Sequence, residues 1–138
     1  MNEKLLRVGT TYIPVNNVAR AAEWYELKLG AETNYLDQNK AIINLATQSF
    51  FLVKSDTDQS ANFTDVDGNE CFSLTFEVNG IHALEGLHQE FLKQDVRVGE
   101  IEDRGHSGNN FVFYDLDGNK FDVWSELSPE FKEKYQIT

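Results

Sequence analysis

The sequence predicts an α+β protein in which one βαβββ module is used twice. The first observation behind this is an internal echo, Tyr12-Ile13-Pro14-Val15-Asn16-Asn17 answered by Thr75-Phe76-Glu77-Val78-Asn79-Gly80. A repeat of about 60 residues is too long for a solenoid, and two copies fill nearly the whole chain. The second observation is that each copy opens with strict two-residue alternation and then changes to helical spacing. The third is length: 138 residues with 41% apolar side chains is the range of one hydrophobic core.

In the first copy, residues 8–15 place Thr11, Ile13 and Val15 on one face and Thr10, Tyr12 and Pro14 on the other, a strand signature. Asn16 or Asn17 caps a helix whose inner positions are Val18, Ala22, Tyr25 and Leu29, and Gly30 stands where a left-handed stop is wanted. Strands are expected at 32–36, 41–46 and 49–54, with turns at Gln38-Asn39 and Thr47-Gln48. Residues 55–69 are polar and aperiodic, so they read as a linker. The second copy opens with one long strand, 70–78, where Phe72, Leu74, Phe76 and Val78 alternate with Ser73, Thr75 and Glu77. Its helix carries Ile81, Leu84, Leu87 or His88, Phe91 and Leu92 on the inner side. Strands at 96–100, 110–115 and 120–125 complete the module. Glu126 onward is a tail with a short helix near Pro129. Module one thus spans about residues 5–54, the linker 55–69, module two 70–126 and the tail 127–138, all within a single domain 1–138.

Composition narrows the function. Lys and Arg number 12 against 23 Asp and Glu, a formal charge of −11, which repels nucleic acid and anionic lipid. The sequence contains no apolar run long enough for a membrane span and no secretory leader pattern, so a soluble, cytoplasmic protein is expected. The single cysteine, Cys71, cannot close an internal disulfide and reads as a small apolar filler. The twin turns Asp65-Val66-Asp67-Gly68-Asn69 and Asp115-Leu116-Asp117-Gly118-Asn119 lack the spacing of a calcium loop and are hairpin chemistry.

Duplicated βαβββ modules of this size resemble the vicinal oxygen chelate superfamily of glyoxalases, bleomycin and fosfomycin resistance proteins and extradiol dioxygenases. Two phrases carry the likeness: Val15-Asn16-Asn17-Val18 with Trp24-Tyr25 and Leu29-Gly30, and Phe113-Tyr114-Asp115-Leu116-Asp117-Gly118-Asn119, where the superfamily usually has proline at the position of Leu116. The resemblance implies a curved mixed sheet around a cleft with helices outside. Ile13, Val15, Leu74, Phe76, Phe121 and Val123 are then expected to face the helices. Thr10, Tyr12, Phe50, Leu52, Lys54, Ser73, Thr75, Glu77, Lys120, Asp122 and Trp124 are expected to face the cleft.

The resemblance also implies where a metal would be held. The first-strand positions fall on Thr10 and Ser73, and the last-strand positions on Leu52 and Asp122. Neutral hydroxyls compete poorly with water for a divalent ion and leucine has no donor, so no metal and no cofactor are expected. His82 and His88, about 240° apart around a helix, cannot chelate one ion. His106 lies in a glycine-flanked polar loop, 103–108, of the kind that in this superfamily often covers the cleft mouth.

The expected function is therefore small-molecule binding without catalytic metal, closest to the bleomycin-resistance branch, sequestering a cationic or aromatic drug-like compound. The residues expected to line the site are Thr10, Tyr12, Phe50, Leu52, Lys54, Ser73, Glu77, His106, Asp122 and Trp124. The alternative is a lyase, isomerase or dioxygenase of the same superfamily, metal-dependent or using Asp122 or Glu77 as base with Lys54 as the candidate electrophile; a third possibility is a small structural or regulatory dimer without a ligand. A homodimer is expected because paired modules of this superfamily commonly associate and exposed sheet edges are a liability.

Overall fold

The computed structural model describes residues 4–138, which divide between Ser60 and Ala61 into two compact units. In unit 1, β1 (Thr10–Val15) leads to α1 (Val18–Leu29). Asn17 is the N-cap, its Oδ1 accepting the Arg20 backbone N–H at 3.0 Å, and Gly30 ends the helix at φ 74°. That left-handed turn is open to glycine without steric cost. Val18, Ala21, Ala22, Trp24 and Tyr25 form the buried face of α1. It packs on a sheet made with β2 (Glu32–Leu36), β3 (Lys40–Leu45) and β4 (Gln48–Lys54), ordered β1-β4-β3-β2. β1 runs parallel to β4, and the other pairs are antiparallel.

Unit 2 repeats this plan with an added hairpin. β5 (Phe63–Thr64) pairs with β6 (Glu70–Cys71), and β7 (Thr75–Glu77) leads to α2 (Ile81–Lys93). β8 (Asn110–Tyr114) and β9 (Lys120–Trp124) follow, in the order β7-β9-β8 with β7 and β9 parallel, and α3 (Pro129–Tyr135) closes the chain. Residues 97–102 run along the free side of β8 through the bridges Val98 to Phe113 and Glu102 to Asn110. They supply the fourth strand position of the module, where a regular strand at 96–100 is expected from the sequence. The core of this unit is aromatic: Phe91 of α2 meets Phe111 and Phe113 at 6.1 and 5.0 Å, and Phe76 and Phe121 pack beside Phe113. Burial of each ring stabilises the unit by roughly 1.5–3 kcal/mol.

Residues 63–71, which begin inside the expected linker, form the β5–β6 hairpin. For the same reason the strand expected over 70–78 is split. Glu70 and Cys71 turn back on Phe63 and Thr64, and the chain joins β9 only from Leu74, whose carbonyl accepts the Asp122 N–H at 3.2 Å.

The twin turns share one geometry. Asp65 Oδ1 accepts the N–H groups of Asp67 and Asn69, and Asp115 Oδ1 those of Asp117 and Asn119, each at 2.9 Å. In the first turn, the Asn69 N–H above all holds the Asp65 carboxyl below its ordinary value, with smaller help from Asp67 and the Cys71 thiol. The second turn is buried and does more: Asn119 donates to Asp115 Oδ2 at 2.8 Å and accepts the Ala61 N–H at 2.7 Å. Asn62 brackets the same turn, donating to the Gly118 carbonyl and accepting from Lys120 N, both at 2.8 Å.

Substituting the two asparagines separates the roles. Asn119→Ala strands a part-buried N–H and a buried carboxylate oxygen and should cost about 2–3 kcal/mol in urea unfolding. Asn69→Ala, in the exposed copy, should cost about 0.5 kcal/mol or less. Equal losses in both would show that burial does not distinguish the turns.

Candidate functional site

The open face of the unit 2 sheet, opposite α2, collects most of the polar chemistry. Partners in register share a face, so Thr75 and Asp122, and Glu77 and Trp124, point together away from Phe76 and Val123. Asp122 is 2% exposed. Its Oδ2 accepts from Thr75 Oγ1 at 3.0 Å and from Asn110 Nδ2 at 2.9 Å. Arg104 Nη2 lies 3.0 Å from Asp122 Oδ1 and also 3.0 Å from Glu102 Oε1. Only the contact with Glu102 has hydrogen-bond geometry; Asp122 Oδ1 receives no directed N–H. Burial alone would lower the Arg104 pKa, but Glu102 and Asp122 outweigh it and raise it, so the guanidinium stays charged.

Arg104 also lines a groove of about 770 Å³ with Asp65, Phe72, Glu100, Glu102 and Lys120. Its guanidinium carbon is 5.7 Å from the centre of the Phe72 ring, and Lys120 Nζ donates to the Glu70 carbonyl at 2.9 Å. With Arg104 held by two carboxylates, the remaining acidic groups give the groove a negative character.

Trp124 and His106 meet at the other end of this face. Trp124 Nε1 donates to the Ser107 carbonyl at 2.9 Å, and the His106 ring stands edge-on to the indole at 5.8 Å. Gly108, at φ 76°, passes so close that a Cβ there would lie 2.7 Å from Ser125 Oγ. Glu77 has a structural task. Its two oxygens accept the N–H and Oγ–H of Ser128 at 2.9 and 2.6 Å, tying β7 to the start of α3.

In unit 1 the register corrects part of the expected site. Leu52 is paired with Ile13 across parallel strands and Phe50 with Ile43, and both lie buried on the α1 face, not on the open one. β4 is apolar on both sides, Phe51 and Val53 as well as Phe50 and Leu52, so alternation alone does not name its buried face; the row that also carries Ile13, Ala41 and Ile43 is the one buried against α1. The open face instead carries Tyr12, 64% exposed, with its ring 5.0 Å from Phe51. Thr10 is exposed at the start of β1, Ser73 is exposed between β6 and β7, and Lys54 lies at the exposed end of β4 beside the first turn of α1.

Arg104, Asn110, Glu102 and Phe72 are the site residues that sequence reasoning missed. Arg104 sits in an aperiodic polar loop where a charge reads as solvated, and Phe72 reads as a helix-facing strand residue. Of the three histidines, His82 is exposed near Glu85, and His88 lies at the core edge, Nε2 at 2.9 Å from the Gly99 carbonyl.

Of the positions that the resemblance reserves for metal ligands, Leu52 lies on the α1 face and has no donor, and the Asp122 carboxylate faces a guanidinium at 3.0 Å whose charge opposes a second cation. Among the described residues no three His, Cys, Asp or Glu side chains gather to hold a metal, and no helix is long and apolar enough to cross a membrane.

No family model matches the sequence, and no curated protein matches it. Solved structures do. A fosfomycin resistance protein from Listeria monocytogenes aligns with a TM-score of 0.71 at 12% identity, covering 91% of this chain and 97% of that one. A glyoxylase/bleomycin resistance protein/dioxygenase domain from Frankia sp. EAN1pec gives 0.70 at 17%, covering 90% and 100%. Lactoylglutathione lyase from Agrobacterium tumefaciens gives 0.69 at 14%, covering 88% and 95%. At these identities the likeness is one of backbone, and with two βαβββ modules of matching strand order the chain has the vicinal oxygen chelate fold.

Proposed function

We propose that this chain binds a small organic cation with an aromatic part, in the groove of unit 2, without a catalytic metal. The observation that carries the reading is the pairing of Asp122 with Arg104, which sets an internal cation at the position the resemblance reserves for a metal-ligating carboxylate. One of the similar structures, the Listeria fosfomycin resistance protein, has been determined with Mn(II) and sulfate. In this chain Thr10, Ser73 and Leu52 stand at three of the four positions that the resemblance reserves for ligands, so no metal is proposed here. The groove supports the choice of ligand: Phe72 offers an aromatic face, and Glu100 and Asp65 offer two negative charges against the one positive charge of Lys120. The acidic net charge steers a cation inward.

A metal-free isomerase with Asp122 or Glu77 as base finds less support. Glu77 is engaged by Ser128 and Asp122 sits behind Arg104, whereas a general base needs an oxygen within reach of the substrate proton.

Three measurements test the reading. Elemental analysis of the purified chain should find Mn, Zn, Ni and Fe far below one equivalent; a full equivalent surviving dialysis would contradict it. In calorimetric titrations with benzyltrimethylammonium, Phe72→Ala should weaken binding about fivefold, close to 1 kcal/mol. Glu100→Gln should weaken it about two- to fivefold and flatten its salt dependence. Unchanged affinity in both variants would put the ligand elsewhere. We also propose a homodimer, on the ground that β1 and β7 each stand at the end of their sheet order. Light scattering should then give twice the 15.8 kDa of the chain, and a monomer mass at high micromolar concentration would refute it.

A further inference from the structure

Two buried oxygen atoms, one of them ion-paired with Arg104, receive no well-directed hydrogen bond. Asp122 Oδ1 and Asn110 Oδ1 each receive no hydrogen bond, although the residues are only 2% and 3% exposed. They belong to one linked pair, since Asn110 Nδ2 donates to Asp122 Oδ2. Buried acceptors are nearly always satisfied, so two of them in one pair mark a place where N–H or O–H donors belong. The nearest donor, Arg104 Nη2, stands 3.0 Å from Asp122 Oδ1 without directing a hydrogen at it. Its directed bond goes to Glu102, whose side chain is 52% exposed.

We propose that Arg104 is an internal stand-in for the cationic group of the ligand, and that a planar amidinium or guanidinium compound displaces it from Asp122. The inference rests on the reading of the groove as a small-molecule site. Arg104 lies between that groove and Asp122, because it both lines the one and contacts the other. Leaving Asp122 does not strip Arg104 of a counter-ion, since Glu102 already holds it. The loop allows the move. It is anchored at Glu102, which exchanges backbone hydrogen bonds with Asn110, and at Ser107, which Trp124 and Glu126 hold. Residues 103–106 between the anchors are exposed, and Gly105 at φ 88° has open space around it. A planar fork with parallel N–H donors suits adjacent acceptor oxygens and is more weakly hydrated than an ammonium, so it is taken from water more readily. A neutral amide lacks the charge, and a carboxylate would be repelled.

The test is a set of calorimetric titrations of the full chain with benzamidine and its neutral counterpart benzamide. The wild type should prefer benzamidine by about tenfold or more. Removing the internal competitor raises the share of binding-competent molecules, so Arg104→Gln should tighten benzamidine about fivefold or more. Arg104→Gln leaves a buried charge unpaired and risks unfolding; Arg104→Lys, which keeps the charge without the planar fork, should shift affinity in the same direction. Asp122→Asn should abolish the preference for benzamidine over benzamide. Weaker benzamidine binding in Arg104→Lys, or an undiminished preference in Asp122→Asn, overturns the proposal. Phe72→Ala separates the two readings. If it weakens benzamidine while the Arg104 and Asp122 variants change nothing, the groove stands and the displacement falls. If benzamidine does not bind, or binds with no dependence on any of these residues, both fall.

Discussion

A carboxylate on the middle strand of a three-stranded sheet has to be compensated where it stands, because an isolated ionised group out of water costs several kcal/mol. Asp122 is that group, and the elements around it are arranged by the need. Thr75 meets it from β7, Asn110 from β8, and Arg104 from the loop that precedes β8. The charge therefore fixes more than its own position. It sets which face of β7 is polar, it gives the loop at 102–108 a reason to lie over the sheet, and it determines that Arg104 borders the groove. Aromatic rings on the opposite face supply most of the burial, but they would pack as well against a sheet with no groove at all.

The duplication shows what a module can vary without losing its plan. Both units keep a parallel pair closed by a helix, with an antiparallel meander beside it. They differ in what fills the open face: rings in unit 1, where Tyr12 meets Phe51, and an ion pair with its hydrogen-bonded partners in unit 2. The Asp-x-Asp-Gly-Asn turn is duplicated with its hydrogen bonds intact, yet one copy is solvated and the other is buried and tied to Ala61 and Asn62.

Much of this was legible in the sequence, for physical reasons that differ by residue. Alternation at Ile13 and Val15, and at Phe121 and Val123, identified the helix-facing sides because one buried face enforces a period of two. Asn17 and Gly30 marked the ends of α1 because caps are local chemistry. Phe50 and Leu52 were misassigned because β4 carries four consecutive apolar residues, 50–53, so a period of two does not say which pair is buried. Asp122 was legible as a position but not as an ion pair, since its partner is fixed by the path of a loop rather than by any spacing. Glu77 was legible as a polar residue on the open face, but its engagement by Ser128 depends on where the tail returns.

The hydrogen bond from Ala61 to Asn119 spans 58 positions of the chain, and its meaning is clearest in time. All four strands of the unit 1 sheet have been synthesised once β4 is complete. Ala61 and Asn62 have their partners only after the turn at 115–119 has been made, which at about 5 to 20 residues per second is a wait of about 3 to 12 seconds. The hairpin 63–71 can pair within itself as soon as it is made, whereas the sheet of the second unit waits for β9, the strand that stands between β7 and β8.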